Sequence, residues 1–180
     1  MSSMKVAALI PFRNEARLLP CCLDSIRGVA DMVIGMDDRS SDHSGELVRE
    51  RGGVVLETEG DLSGFSQGKE KVIRQALVDE ARRRGATHFL CLDADEALTA
   101  PFRRYGRELM ENLAPGHKLA LRWLTLWGSP YVYRDGDYSK FHRIYRGIIV
   151  RDAPDLPPYG GFLHMPRTPG SDARENVTKC

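Results

Sequence analysis

The sequence predicts an α/β fold, a doubly wound, mostly parallel sheet with helices on both faces and a short, less regular C-terminal region. Two observations predict it. Apolar runs alternate with helical segments through the first 98 residues, and polar clusters follow three of those runs. Strand–helix alternation favours parallel strands joined by crossover helices. Such sheets bind ligands in the crevice at the carboxyl ends of their strands, so the polar clusters predict a ligand site there.

The individual elements of the first half follow from local patterns. Apolar runs predict strands over residues 4–10, 31–36, 53–59 and 87–93. Helical spacing and helix-end residues predict helices over residues 20–28, 41–53 and 66–85. Gly28, Gly52 and Gly85 stand at the ends of these helices, a position that glycine favours.

The second half has a weaker pattern. A helix is predicted over residues 99–113, with Thr99 as a candidate N-cap. Strands that carry aromatic residues are predicted over 118–128 and 142–151, and a loop rich in proline and glycine follows. We expect residues 1–98 and 99–180 to be two halves of a single domain.

Composition and charge are those of a globular protein. The chain has 180 residues, of which 42% are hydrophobic and 28% charged, and its net charge is +1. Residues 1–100 carry 13 basic and 17 acidic side chains, net −4, and residues 101–180 carry 13 and 8, net +5. This asymmetry favours an anionic ligand or acceptor near the second half. The alternative is a chance excess on a solvated surface.

The cysteines and the apolar runs indicate in which cellular compartment the protein is expected. Cys21, Cys22, Cys91 and Cys180 have no spacing typical of a zinc site or a disulfide framework, so we expect a reducing cytoplasm. The longest apolar runs fall short of a membrane span, and a signal-peptide pattern is absent.

Two acidic clusters are candidates for chemistry. Asp93 and Asp95 follow the fourth strand, where a divalent cation bridged to phosphate oxygens would neutralise them. The alternative is a helix N-terminus, which also favours acids. Asp37 and Asp38 follow the second strand and could accept hydrogen bonds from a nucleoside. Asp42 or Ser41 is expected to cap the next helix instead.

Three further groups have weaker signals. Phe12, Asn14 and Glu15 follow the first strand, where they could stack on a base and bond a ribose, or form a turn before a helix. The run from Gly64 to Glu70 is one residue short of a phosphate-binding loop, and its Glu replaces the metal-binding Ser or Thr, so a P-loop is excluded. Lys69 could still meet a phosphate near a helix N-terminus, or be a solvated lysine. A lone histidine such as His164 is more often structural than a ligand.

Taken together, these motifs resemble the nucleotide-binding half of family 2 glycosyltransferases, which adopt the GT-A fold. The resemblance covers residues 4–98 and follows the family's order. It rests on Asn14-Glu15, Leu-Pro-x-Cys-Leu-x-Ser at 19–25, Asp-Asp-x-Ser-Ser-Asp at 37–42 and Asp-x-Asp at 93–95.

The resemblance implies a metal-dependent, inverting transfer of sugar from a nucleoside diphosphate, with a UDP-sugar as the first expectation and Mn²⁺ or Mg²⁺ as the cation. Residues 1–98 then form the nucleotide-sugar-binding half and residues 99–180 the acceptor side. Asp95 is the expected direct metal ligand, with Asp93 and His164 beside it. The implied donor site comprises Pro11, Phe12, Asn14, Glu15, Asp37, Asp38, Lys69, Asp93, Ala94 and Asp95.

The second half resembles lipopolysaccharide-core-type members more loosely. Asp152 falls where these members carry a Val-His-Glu, which makes it the expected catalytic base, with Asp155 as the next candidate. Asp135 and Asp137 are further reserves. The acceptor stays open between a phosphorylated lipid, a saccharide and a modified DNA base. The basic residues expected to face it are Arg134, Lys140, Arg143, Arg146 and Arg151.

Three other classes of protein are alternatives to this prediction. A non-catalytic module would keep the nucleotide-sugar pocket and lack a competent acceptor site, and binding without transfer would identify it. A receiver-like signalling domain is disfavoured, because its acidic pair should follow the first strand and here the pair follows the second. A nucleotidyltransferase is disfavoured too, because the glycine-rich, arginine-containing loop after the first strand is absent.

Overall fold

The computed structural model describes residues 3–58, 68–129, 131–133, 144–159, 167–169 and 177–179. Within these residues a seven-stranded sheet is flanked by four helices. In chain order the elements are β1 (Val6–Phe12), α1 (Leu19–Ser25), β2 (Met32–Asp37), α2 (Ser44–Glu50), β3 (Val54–Glu57), α3 (Lys69–Arg83), β4 (His88–Cys91), α4 (Ala100–Glu111), β5 (Lys118–Arg122), β6 (Tyr145–Arg151) and β7 (Val177–Lys179).

The sheet has the strand order β3-β2-β1-β4-β6-β5-β7. The first four strands in this order are parallel to one another. β6 runs antiparallel to β4, β5 runs antiparallel to β6, and β7 runs parallel to β5. The predicted α/β class, with a mostly parallel sheet, is therefore confirmed. β7 has no counterpart among the predicted strands.

Both faces of the parallel part of the sheet are covered, which explains the continuous apolar run of β1. Val6, Ala8 and Ile10 contribute to one core cluster, and Ala7 and Leu9 contribute to the other. All five side chains are buried. The alternation follows from the period of two in a strand, where neighbouring side chains point to opposite faces.

The helices divide between the two clusters. Leu19 and Leu23 of α1 and Phe102 of α4 belong to the first cluster, whereas Leu77 and Val78 of α3 belong to the second. Apolar residues spaced three or four apart thus give each helix one buried face. The prediction of helices on both faces of the sheet is confirmed.

Most element boundaries differ from the prediction by one to three residues, and two of the differences bear on the site or on the length of a strand. β1 continues two residues past Ile10, because Phe12 pairs with Asp37 and its ring packs over Gly35 of the neighbouring strand. A Cβ at Gly35 would lie 2.6 Å from Phe12 Cε1, so only glycine leaves room for this ring. β5 ends at Arg122, six residues before the predicted strand end.

The direction of β6 decides which residues lie at which edge of the sheet. Arg151, at its end, pairs with His88 at the start of β4, whereas Tyr145 pairs with Arg122 at the end of β5. The chain therefore leaves β5 and enters β6 at the edge where the parallel strands end. Among the described residues, no helix is both long and apolar enough to cross a lipid bilayer.

Candidate active site

The carboxyl ends of β1 to β4 meet at one edge of the sheet, which we call the carboxyl edge. The chain proceeds outward from β1 to β2 and β3, then returns to place β4 on the other side of β1. Strand order thus reverses between β1 and β4, where open α/β sheets form their ligand crevice. Glu15 follows β1 here, and Asp93 and Asp95 follow β4.

The loops after β1 and β2 are held together by Asn14. Its backbone amide donates to Ser40 Oγ at 3.0 Å, and its Oδ1 accepts from the Ser41 amide at 2.7 Å. Asn14 and Arg39 have φ values of 55° and 57°, in the left-handed region that non-glycine residues seldom adopt. Such backbone concentrates at functional sites. Asn14 is thus engaged in joining two loops, and its Oδ1 already has partners.

Asp42 binds the start of α2 from the position before its N-cap residue, His43, whereas the sequence predicts Asp42 or Ser41 as the cap. Its Oδ1 accepts from the Ser44 amide at 3.0 Å and from Ser44 Oγ at 2.5 Å, and its Oδ2 accepts from the Ala16 amide at 3.1 Å. The hydrogen bond from the Ser44 hydroxyl is the main cause that lowers the pKa of Asp42. Ser44 Oγ also accepts from the Glu15 amide at 2.9 Å, which fixes the backbone of Glu15 at the carboxyl edge.

Asp37 and Asp38 have different partners. Asp37 Oδ1 accepts from the Ser40 amide at 2.7 Å, inside its own loop. Asp38 Oδ2 lies 2.6 Å from Lys69 Nζ and 3.8 Å from Arg13 Nη1. The fold therefore brings together Asp38 and Lys69, two predicted donor-site residues from different parts of the sequence. The ammonium of Lys69 has a carboxylate partner.

Asp93 is held by two arginines. Arg74 Nη2 lies 2.8 Å from its Oδ1, and Arg167 Nη2 lies 2.6 Å from its Oδ2. Arg74 also pairs with Glu70 of the same helix at 2.8 Å, and Arg167 also pairs with Glu96. Burial raises the pKa of Glu96, an effect that Arg167 opposes. Both oxygens of Asp93 therefore face a guanidinium.

Asp95 has a different environment from Asp93. It is exposed, next to the buried Ala94, and its carboxylate makes no hydrogen bond or ion pair to another described side chain. Its charge reaches Glu15, whose pKa is raised first by burial and then by Asp95 and Asp42. The crevice between β1 and β4 thus carries two carboxylates, those of Glu15 and Asp95, that repel each other electrostatically.

The predicted divalent cation fits Asp95 and not Asp93. Proteins hold Mg²⁺ through one or two carboxylates together with substrate phosphates, a role open to an exposed carboxylate. The oxygens of Asp93 already face Arg74 and Arg167. His164 lies outside the described residues, among which no three His, Cys, Asp or Glu side chains are grouped as metal ligands.

The expectation that Phe12 stacks on a base is wrong. Its side chain is 4% exposed and belongs to the core cluster beneath the sheet. The ring packs over Gly35 and is unavailable to a ligand. Pro11 lies within β1, where it pairs with Met36, and forms part of the wall below the crevice.

Asp152 does not lie at this site, which contradicts its prediction as catalytic base. Its amide donates to the carbonyl of Thr87 at 2.9 Å, just before β4 begins, so it lies at the opposite edge of the sheet. Its carboxylate accepts from Arg82 Nη2 at 2.7 Å and from Arg82 Nε at 3.0 Å. Asp155 follows in the exposed turn just after it. The reason is the antiparallel direction of β6, which carries its last residues away from the carboxyl edge.

Several site residues have no role in the sequence-based prediction. Trp123 follows β5, and its ring lies 4.0 Å from Arg146 Cζ and 5.2 Å from Arg167 Cζ. The spacing of Glu70 and Arg74 predicts their i,i+4 pair but not the contact of Arg74 with Asp93. No local signal connects Arg167 to the end of β4, because the contact depends on the path of the chain after β6.

The basic residues predicted to face an acceptor are divided. Arg146 lies at the carboxyl edge, whereas Arg151 Nη1 donates to the carbonyl of Leu113 at 2.6 Å, at the opposite edge. The other predicted residues of the second half, Arg134, Asp135, Asp137, Lys140 and Arg143, lie outside the described residues.

Comparison with solved structures decides the fold. S. aureus TarS superimposes with a TM-score of 0.58 at 16% identity, over 82% of this chain and 28% of that chain. The structure of TarS residues 1–349 gives 0.57 at 17% identity, over 82% of this chain and 47% of that chain. The chain has a GT-A fold. The predicted fold is thereby confirmed.

The GT-A fold is also matched more weakly. The UDP complex of Mycobacterium tuberculosis glucosyl-3-phosphoglycerate synthase has a TM-score of 0.49 at 18% identity, over 68% of this chain and 46% of that chain, and adds nothing to the fold assignment. In sequence, the chain is 33% identical over 94 residues to a TPR repeat-containing protein of Synechococcus elongatus, covering 52% of this chain and 21% of that protein. No protein-family model matches. This GT-A chain thus spans between about a fifth and a half of the proteins it matches.

Proposed function

We propose that this chain transfers a sugar from a nucleoside diphosphate, with UDP as the preferred nucleotide, to an acceptor hydroxyl. The observation that carries the proposal is the crevice between β1 and β4 of a GT-A fold, where the exposed carboxylate of Asp95 follows the ion-paired Asp93 by two residues, with the ion-paired Asp38 at the same edge of the sheet. Crevices at this position in α/β sheets bind nucleotides.

The ion-paired acids are proposed to bind the nucleoside. Arg74 and Arg167 hold the carboxylate of Asp93 in place, and carboxylates are strong acceptors for hydroxyl groups of a ribose. Asp38 takes the same role for the base or ribose, and the ammonium of Lys69, 2.6 Å from Asp38, is proposed to meet the diphosphate.

The donor diphosphate is proposed to bind with Mn²⁺ or Mg²⁺ held by Asp95. When bound, the cation stabilises the negative charge that grows on the departing nucleoside diphosphate. Asp95 supplies the oxygen ligand. Glu15, whose pKa is raised first by burial and then by Asp95, is a second carboxylate that the positive charge of the cation would attract. Among the described residues, no guanidinium group pairs with Asp95, which leaves its carboxylate open to the cation.

An inverting transfer, as the family 2 resemblance implies, needs a general base at the carboxyl edge. Asp152 and Asp155 lie at or near the other edge of the sheet, so neither is proposed as the general base. The connection from β5 to β6 begins and ends at the carboxyl edge, and its acids Asp135 and Asp137 are the remaining proposed bases. A phosphorylated lipid, a saccharide or a DNA base remains the proposed acceptor.

The second candidate function is a nucleotide-sugar-binding module without transferase activity. The position of Asp152 favours it, because the base expected from the resemblance is not at the crevice. Binding of a donor without its turnover or slow hydrolysis distinguishes this module from an enzyme.

The test measures binding of a panel of nucleoside diphosphates with and without Mn²⁺, by calorimetry and by the midpoint of thermal unfolding. At 100 times its dissociation constant a ligand stabilises the folded state by about 2.7 kcal/mol. Asp95→Asn should abolish the part of the affinity that depends on Mn²⁺. Glu111→Gln, an exposed change at the far end of α4, is the matched control and should leave binding unchanged.

Two results would overturn the proposal. One is a wild-type protein that binds none of the nucleoside diphosphates. The other is Asp95→Asn protein with an unchanged response to Mn²⁺. Incubation with UDP-sugars, followed by measurement of released UDP, then separates the transferase from the binding module.

A further inference from the structure

The carboxyl edge carries a cluster of three side chains beside the Asp93 site, which we call the arginine–tryptophan stack: Trp123, Arg146 and Arg167. Arg146 Cζ lies 4.0 Å from the centre of the Trp123 ring, and Arg167 Cζ lies 5.2 Å from it. An aromatic face attracts a guanidinium because of its quadrupole, most strongly for tryptophan. The stack therefore fixes both arginines next to the end of β4.

The two arginines differ in how their charges are balanced. Arg167 pairs with Asp93 and with Glu96. Arg146 has no ion pair with a described carboxylate, and its Nε is buried without a hydrogen-bond partner among the described residues. Asp93 and Glu96 act on Arg146 only through longer-range attraction, while Arg167 repels it. Within the described part of the chain, Arg146 is thus the member of the stack with no paired carboxylate.

Stacking leaves the hydrogen-bonding edge of a guanidinium available. The ring contact uses the flat face of the group, whereas its five N–H donors point outward in the plane. This planar edge matches the oxygens of a phosphate or carboxylate and binds them in pairs. Arg146 is only partly buried, so part of its side chain is open to solvent.

We propose that Arg146 is the anchor of an oxyanion subsite that takes a phosphoryl group of a substrate, held in place by Trp123. This inference rests on the proposed function. It adds a residue, Arg146, and the class of group that this residue binds, a phosphoryl group. The phosphoryl group has two possible sources, the diphosphate of the donor and a phosphate on the acceptor. Both present the same oxygens to Arg146.

A purely packing role for Arg146 makes a different prediction. If the side chain only covers Trp123, Arg146→Met retains an unbranched apolar stem over the ring and changes stability without changing anion affinity. Arg146→Lys keeps the positive charge and removes the planar edge. It is the conservative variant, expected to fold even if Arg146→Met does not.

The experiment measures binding of UDP, pyrophosphate and uridine to the whole chain by calorimetry. Arg103→Met, which removes an exposed arginine of α4, is the control. If the phosphoryl group bound by Arg146 belongs to the donor, Arg146→Met and Arg146→Lys weaken UDP and pyrophosphate binding at least tenfold. Uridine binding then stays unchanged. If the acceptor is the source, UDP affinity stays constant and binding of inorganic phosphate to the UDP-saturated protein is lost.

The failure of this inference is distinguishable from that of the proposed function. Wild-type protein that binds UDP, together with Arg146 variants whose affinities for UDP, pyrophosphate and phosphate match it, refutes the subsite alone. Wild-type protein that binds no nucleoside diphosphate refutes the proposed function first.

Discussion

Arg74 Nη2 donates to Asp93 Oδ1 at 2.8 Å, so a side chain from the middle of α3 fixes the first acid of the Asp-x-Asp pair. The side chain of Arg74 is 7% exposed and bonds Glu70 at the same time. A side chain on the buried face of α3 thereby places a positive charge at the end of β4. Asp95, two residues away, has no such partner among the described residues.

The first prediction concerns Arg74→Met. This change removes the buried guanidinium that pairs with the carboxylates of Glu70 and Asp93. Of the two arginines described above, Asp93 then keeps only Arg167. Because Asp93 is partly exposed, we expect a loss of about 2 kcal/mol in the free energy of unfolding, below the full cost of an orphaned buried charge. Urea denaturation measures it. Arg103→Met should change stability by less than about 0.5 kcal/mol, and an equally small effect of Arg74→Met would contradict the prediction.

A second prediction separates Asp152 from catalysis. Asp152→Asn weakens the paired hydrogen bonds with Arg82, and because both side chains are partly exposed we expect a cost of about 1 kcal/mol. Nucleotide binding and sugar transfer should be unchanged, because the residue lies at the opposite edge of the sheet. A general base contributes roughly 10²–10⁴-fold to the rate. A fall of that size in folded Asp152→Asn protein, measured with UDP release, is the contrary result.

The close packing of Phe12 over Gly35 gives a third prediction. Gly35→Ala places a Cβ 2.6 Å from Phe12 Cε1, and the ring has no free space because it is buried in the core. Overpacking of this kind costs about 1–3 kcal/mol. Gly68→Ala is the matched control, since nothing lies within 4 Å of its added Cβ and its φ is −85°. Thermal unfolding of the two variants should differ clearly, and equal midpoints would contradict the packing argument.

The fourth prediction concerns pH. His88 is buried, its Nε2 lies 3.1 Å from the carbonyl of Met110, and its pKa is lowered first by burial and then by Arg151. Below its ordinary pKa of about 6.5 the unfolded chain binds a proton that the folded protein refuses. This residue's contribution to stability is therefore fully present above about pH 6.5. It is lost as the pH falls towards the folded pKa, by at most about 1.4 kcal/mol per pH unit.

The corresponding measurement compares wild type with His88→Gln in urea at pH 5 to 8. The variant should be less stable at pH 8, where the imidazole packs without charge, and the difference should shrink as the pH decreases below about 6.5. A difference that is constant across this range would show that His88 does not titrate with folding.

Much of the parallel sheet follows from the sequence because its cause is local. A strand covered on both faces must be apolar at consecutive positions, and β1 is. Strands that run parallel also bring their following loops to one edge, so the order of the polar clusters places Glu15 and Asp95 in one crevice. The role of Asp42 at the start of α2 is equally local, since it involves residues two positions apart.

What the sequence did not reveal depends on distant parts of the chain. The burial of Phe12 is decided by the missing side chain of Gly35 on another strand. The position of Asp152 is decided by the direction of β6, which an apolar pattern leaves open. The contact of Arg167 with Asp93 joins the segment after β6 to the end of β4, and no periodicity signals it.

The central place of β1 in the sheet has a consequence for synthesis. Its partner β2 follows within the next 20 residues, whereas its other partner β4 begins at His88, 76 positions after Phe12 (88 − 12 = 76). At roughly 5–20 residues per second, a ribosome needs about 4–15 s to make that stretch. Throughout this time one long edge of β1, made of buried apolar residues, has no neighbour. The nascent chain therefore exposes this strand to chaperones, and the length of chain between β1 and β4 sets how long that exposure lasts.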